Sequence, residues 1–212
     1  MFVTLADFKG EINISQNRYN NTNYDAIIAE TEESVLKLLL GEDLYLKLID
    51  DLDVDNVPLN TMYAYFLNGK TYSVYNEEEQ IVKIDYKGAK AMLKQFIYAE
   101  LIQFQQEQNT EVGTVDPDQN NSKRTSRKRI NEMSQKAYNK GVDLYGFDIH
   151  NKSISNWFIQ GKSKSDLKKY GTYDYYKYYL KGSCYNFLHN YSTDFPTWQF
   201  TRKEYRLLNG WL

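Results

Sequence analysis

Few residues in this chain have the types and spacing that chemistry requires. His150 and His189 are its two histidines. Neither belongs to a metal spacing such as H-E-x-x-H, so each is expected to pack or to lie exposed. Cys184 is the single cysteine, which excludes an internal disulfide framework and fits a reducing compartment. No motif ties a histidine to it, and a structural thiol is expected rather than a nucleophile. Glu30, Glu32 and Glu33 cluster in one helical stretch, and Asp50, Asp51, Asp53 and Asp55 follow the next. The DLDVDN run looks like an oxygen-rich calcium loop but lacks that loop's glycine at position six and glutamate at position twelve. A solvated acidic surface is the expected reading. No Gly-rich phosphate loop is present; Leu39-Leu40-Gly41-Glu42 reads as a helix stop. Neither a cofactor nor a metal is expected, and nothing puts an enzyme first.

The densest charge is basic. Lys123, Arg124, Arg127, Lys128 and Arg129 place five cations in seven residues, with Lys136 and Lys140 beyond. They open a helix, where the macrodipole disfavours positive charge by roughly 0.3–1 kcal/mol per group. Three readings of the cluster stand: a solvated helix start, an acidic protein partner such as another subunit, or nucleic acid touched at its phosphates. No helix-turn-helix, zinc or RNA-binding signature supports sequence-specific reading.

These clusters belong to a larger asymmetry. Residues 1–121 carry 9 Lys/Arg against 21 Asp/Glu, and residues 122–212 carry 17 against 7, so charges of −12 and +10 hide behind a total of −2. If the two parts occupy different faces, copies can associate head to tail, and such heterologous contacts build rings when the rotation closes. Glu30, Glu33, Asp50 and Asp51 are the candidate acidic counter-surface to the basic cluster. Twenty tyrosines and three tryptophans are amphipathic rings of the kind favoured at interfaces. Trp211 and Leu212 are the candidate C-terminal anchor, with packing on the chain's own domain as the equal alternative for Trp211.

The elements that must position these groups follow from periodicity. Residues 1–22 read as an N-terminal arm, with Ile12 and Ile14 alternating before a polar stretch. Asn23 is an expected N-cap for a helix whose apolar positions are Tyr24, Ile27, Ile28, Thr31, Val35, Leu38 and Leu39. Gly41 stops it, and a second helix at about 42–52 completes an αα corner. After Pro58 a helical turn is expected at about 59–67. Residues 70–86 alternate around Asn76-Glu-Glu-Glu79 as a β-hairpin standing off a helical body.

Lys87–Gln108 carries the strongest helical stripe: Ala89, Met92, Leu93, Phe96, Ile97, Leu101 and Phe104. A polar loop at 109–122 precedes a long helix at about 123–146, weakened by Gly141. Ile154, Trp157 and Phe158 suggest one more turn. Residues 147–212, Tyr/Trp-rich and without clean periodicity, read as an extension docking on neighbours rather than building a core. The fold class is mainly α: a small bundle of four to five helices over 23–146, an inserted β-hairpin and extended N- and C-terminal arms. The first residues, MFVTLADFKGEINIS, lack the basic start and apolar run of a signal peptide. No apolar run approaches the roughly 20 residues of a membrane span. A cytoplasmic chain without a membrane partner is expected.

In this order the motifs resemble those of head–tail connector proteins (adaptor or neck-ring proteins) of tailed bacteriophages, in the form carried by Bacteroidetes-infecting and crAss-like phages. The resemblance rests on Thr4-Leu-Ala-Asp-Phe-Lys-Gly10 with Ile12 and Ile14, and on the helix Ile27–Leu40 running into Leu39-Leu-Gly-Glu-Asp-Leu-Tyr45. Tyr86-Lys-Gly88, Met92-Leu93 and Phe96-Ile-Tyr98, then Gly113-Thr-Val115, Asn120-Asn121 and the basic helix complete it. It covers roughly residues 4–145; the hairpin and the tail fall outside it.

The resemblance implies a virion structural protein, present in the host cytoplasm during assembly and then in the neck. It would form a ring of roughly twelve copies below the portal. The ring would surround the DNA channel, link capsid to tail, and contact portal and neighbouring neck or tail proteins, with non-specific DNA contact possible in the channel. The resemblance carries no catalytic residues. The alternative function is a non-sequence-specific nucleic-acid-binding accessory protein using residues 123–129.

Overall fold

A computed structural model of the chain describes residues 1–8, 21–75, 80–111, 127–146 and 182–198. The expected tip of the hairpin, the turn at Ile154–Phe158, most of the 109–122 loop, and much of both arms lie outside the described residues. The described chain is mainly helical, as the periodicity predicts: α1 Asn21–Leu40, α2 Glu42–Asp50, α3 Thr61–Asn68, α4 Ala89–Glu111, α5 Arg127–Tyr145 and α6 Cys184–Asn190. β1 Lys70–Tyr75 and β2 Ile81–Tyr86 form one antiparallel hairpin. α1 begins two residues before the expected cap at Asn23, since helix ends fray by a residue or two.

The chain divides into two compact units. The first comprises described residues of Met1–Val35 and Met92–Val142. Ile28 and Val35 on α1, Met92, Leu93, Phe96 and Ile97 on α4, and Ala137 and Val142 on α5 are buried in it. Ring contacts join Tyr24 to Phe104 (6.0 Å) and Phe96 to Tyr138 (5.1 Å). Gly141 has a packing reason: a Cβ there would lie 2.9 Å from the Phe96 ring, so α5 approaches α4 at a point where no side chain fits. Ser134 Oγ donates to the Ala99 carbonyl (3.0 Å), spending a buried hydroxyl on the same helix pair. The first eight residues are seated in this unit, with Phe2, Val3 and Phe8 buried and Leu5–Phe8 wound into a 3₁₀ turn.

The second unit comprises described residues of Leu36–Ala91 and Asp143–Lys203. Gly41, at φ 77°, turns the chain from α1 into α2 as the sequence predicts, and its N–H closes on Lys37 O (2.9 Å). The hairpin pairs Tyr72 with Ile84 and Val74 with Val82, which sets Tyr72, Val74, Ile84 and Tyr86 on one buried face. It therefore does not stand off a helical body. Its apolar face is covered by α6, whose Phe187 stacks on Tyr86 (4.5 Å, 20°) and meets Tyr72 edge-on (6.1 Å). Phe66, Tyr191 and Phe195 close the remaining sides of Phe187.

Within the stretch 147–212, read from sequence as an extension with no core of its own, residues 182–198 pack into the second unit. Cys184, Tyr185, Phe187, Leu188 and Phe195 are all buried in the second unit. A half-buried two-stranded hairpin needs an apolar cover to be stable, and residues 182–198 supply it. Truncating Phe187 to Ala should cost about 3–5 kcal/mol in urea unfolding, as for other buried phenylalanines. A loss under about 0.5 kcal/mol, typical of exposed positions, would mean that this stretch does not hold the core.

Candidate functional site

The groups available for function are the charged side chains that the helices turn outward, together with those drawn inward. On α1 the inward positions are Tyr24, Ile28, Val35, Leu36 and Leu39, leaving Glu30 and Glu33 exposed on the opposite side. Glu32 differs. It lies four residues after Ile28 and three before Val35, on the apolar stripe, and is only 6% exposed. Its carboxylate accepts the backbone N–H of Phe2 at both oxygens (2.9 Å each) and that of Val3 (3.0 Å). The expectation of a solvated acidic surface therefore fails for Glu32. It is a buried acceptor that fixes the N-terminal strand of chain on α1, in place of water for two backbone donors.

Asp7 completes that anchor. It accepts from Thr4 N (2.9 Å) and Thr4 Oγ1 (3.0 Å) and pairs with Lys94 on α4 (3.5 Å). Burial pushes its carboxyl up, but the Thr4 hydrogen bonds and the Lys94 charge together hold it below its ordinary value.

The second acidic run forms a built loop. Asp50 ends α2 and is exposed, while Asp51 is half-buried and accepts Asn60 N (2.7 Å). Asp53 Oδ1 accepts from both Asp55 N (2.9 Å) and Val57 N (2.8 Å). Asp53 N donates to Val57 O (3.0 Å), and Leu52 bridges to Pro58. The Asp53 carboxylate thus closes its own loop. Among the described residues no group of three or more His, Cys, Asp or Glu is placed to hold a metal ion.

The basic cluster is only partly described. Lys123 and Arg124 lie outside the described residues, Arg127 and Lys128 open α5, and Arg129 on α5 is exposed, as are Lys136 and Lys140. Glu30, Glu33 and this end of α5 belong to the first unit, whereas Asp50 and Asp51 belong to the second. Trp211, Leu212 and His150 are also outside the described residues. His189 stacks on Tyr185 (5.8 Å, 7°).

Sequence reasoning missed two groups. Trp198 Nε1 donates to Leu39 O (2.8 Å), satisfying one of the last carbonyls of α1. No sequence signal marks it, because the partners are 159 residues apart. The other is the Tyr86–Cys184 pair. Tyr86 donates its hydroxyl to Phe66 O (2.7 Å) and lies 3.3 Å from Cys184 Sγ. Burial pushes the Cys184 thiol up to about 12. It raises the Tyr86 phenol well above its ordinary value too, with the neighbouring thiol adding to the shift.

Among the described residues no helix is long and apolar enough to cross a membrane. No protein-family model, curated protein or solved structure matches the chain.

Two outcomes follow. Replacing Glu32 with Ala leaves the Phe2 and Val3 donors buried without acceptors, at about 1–3 kcal/mol for each. Glu30→Ala and Glu33→Ala should stay within about 0.5 kcal/mol, so equal effects at all three positions in urea unfolding would remove the anchor. The Cys184 thiol holds its proton more tightly folded than unfolded. Its contribution to stability is complete below its ordinary value of 9.0 and is lost as pH rises toward about 12. Native protein at pH 8 should resist a thiol reagent that labels it at once in urea, and equal labelling rates would contradict the burial.

Proposed function

We propose that this chain is a virion structural protein, a head–tail adaptor that builds a ring in the neck of a tailed bacteriophage. The ring would sit below the portal, surround the DNA channel and link capsid to tail. The observation that carries the reading is the separation of −12 and +10 along the chain. A monomer has no evident use for it, whereas head-to-tail copies do. In this mechanism the acidic positions Glu30, Glu33, Asp50 and Asp51 of one copy meet the basic helix start of the next, Lys123 to Arg129.

The motif resemblance implies a small α-helical bundle, and the mainly helical fold is compatible with this role. Exposure of Glu30, Glu33, Asp50, Arg129, Lys136 and Lys140 also supports the reading. Surface ion pairs contribute little to folding, so charge sorted along the chain is better explained by association.

The basic start of α5 also favours a second reading, sequence-independent binding to nucleic acid through phosphate contacts. Such binding weakens steeply with salt because it releases counterions. The test is affinity purification of the tagged chain from infected source cells after nuclease treatment, with partners identified by mass spectrometry. Recovery of portal and other neck proteins is the expected result. Loss of every partner on nuclease treatment would replace the ring with the nucleic-acid reading. Reversing Arg127, Lys128 and Arg129 to Glu should abolish ring formation while leaving the circular dichroism of the helices unchanged. Normal rings from that variant would overturn the charge-pairing mechanism.

A further inference from the structure

Of the eight exposed large apolar side chains among the described residues, three (Met1, Ile81 and Met133) stand apart and the other five gather in one stretch. Leu46, Ile49, Val54, Val57 and Leu59 are all exposed, and all fall within eighteen consecutive residues of the second unit, 42–59. Val54 is 97% exposed and Leu59 73%. On α2, Leu46 and Ile49 sit three apart and share the outward face with Glu42, Asp43 and Asp50, while Leu44 and Leu48 are buried on the other. The loop that follows carries Asp53 and Asp55 beside Val54 and Val57. From 42 to 59 there are six carboxylates and one cation, Lys47.

This surface is also pre-formed. The Asp53 carboxylate, the Asp51 bond to Asn60 and the Leu52–Pro58 bridge fix the backbone that presents Val54. Little conformational entropy is left to lose on binding, which favours affinity. Apolar side chains held outward at such a cost in water contact mark an interaction surface.

A complementary stripe exists on the same chain. Arg129, Met133, Lys136 and Lys140 lie at helical spacings of four, three and four along α5, and all four are exposed. The stripe sets one apolar side chain among three cations. The α2 face and its loop set apolar side chains among carboxylates. The charges are opposite and the apolar elements match in kind.

We propose that residues 42–59 are the docking surface for α5 of a second copy of this chain, with Val54, Val57 and Leu59 received against Met133 and the flanking carboxylates facing Arg129, Lys136 and Lys140. The choice of a second copy as occupant rests on the assembly reading above. It adds to that reading a contact made by α2 and its loop, whose centre is apolar, beside the charge pairing of Glu30 and Glu33. Buried apolar anchors then provide most of the affinity, while the charges set orientation and on-rate. Because the two surfaces differ, the contact is heterologous and propagates into a ring or chain.

The test is disulfide trapping between full-length variants. Val54→Cys, Met133→Cys and, as control, Thr71→Cys all alter exposed side chains, and buried Cys184 contributes no reactive thiol. Oxidising a mixture of V54C and M133C should give roughly tenfold more mixed dimer than V54C with T71C, since trapping follows effective concentration. A chain carrying both V54C and M133C should give a ladder beyond the dimer. Mixed dimer at the control level overturns the docking surface, and it does so even if neck partners are recovered by affinity purification, in which case the adaptor reading survives. Strong trapping without any neck partner keeps the docking surface and removes the adaptor role. Trapping of V54C only by a different protein would place another occupant there and overturn the proposal.

Discussion

Phe187 stacked on Tyr86 joins two pieces of chain, neither of which is long enough to hold its own shape. A two-stranded hairpin is marginal in water, and a seven-residue helix such as α6 lies below the length at which isolated helices persist. Each supplies the other's missing face. The stack buries the hairpin's alternating side, brings Cys184 beside the Tyr86 hydroxyl, and sets Phe195 against Phe66. Residues 191–198 follow from that seat, and Trp198 can then reach the Leu39 carbonyl at the end of α1. These contacts tie the hairpin, α3 and residues 184–198 into one packed unit.

In the first unit the corresponding constraint is polar. Glu32 is drawn among apolar neighbours and answered by backbone donors from residues 2 and 3. A buried carboxylate without such partners would be expensive. The anchoring therefore uses one member of an acidic cluster and leaves the other two, Glu30 and Glu33, at the surface. In the DLDVDN loop Asp51 and Asp53 accept backbone N–H groups while keeping exposed surface, and Asp50 and Asp55 are exposed as well. Acidic residues that looked equivalent in sequence thus differ: Glu32 is buried, whereas Glu30 and Glu33 are exposed.

Exposed charge adds little to folding stability. Exposed pairs such as Lys37–Glu42 (2.9 Å) are screened by water and salt and add little to the fold. The carboxylates Glu30, Glu33, Glu42, Asp43, Asp50, Asp53 and Asp55 and the cations Arg129, Lys136 and Lys140 are exposed. The apolar residues of 42–59 give the acidic surface something charge alone lacks, an area that gains by leaving water.

How much of this was legible depends on the range of each interaction. Helices α1, α2, α4 and α5 were readable because their apolar residues recur every three or four positions, and the Gly41 corner because a positive φ follows a helix end. The hairpin's strands were readable from alternation, but not the destination of their buried face. That was decided by Phe187, about a hundred residues later, in a Tyr-rich stretch whose aromatic residues obscure any period. Glu32 was half legible: its place on the α1 stripe is a matter of counting, yet only the docked Phe2 and Val3 amides make burial tolerable there. The sequence by itself determined the local elements, the mainly helical class and the sorting of charge, because these depend on neighbours within a turn or two. Which acids are buried, where the tail's aromatics pack and which apolar residues stay in water were decided only by tertiary structure, since burial depends on what distant chain segments cover.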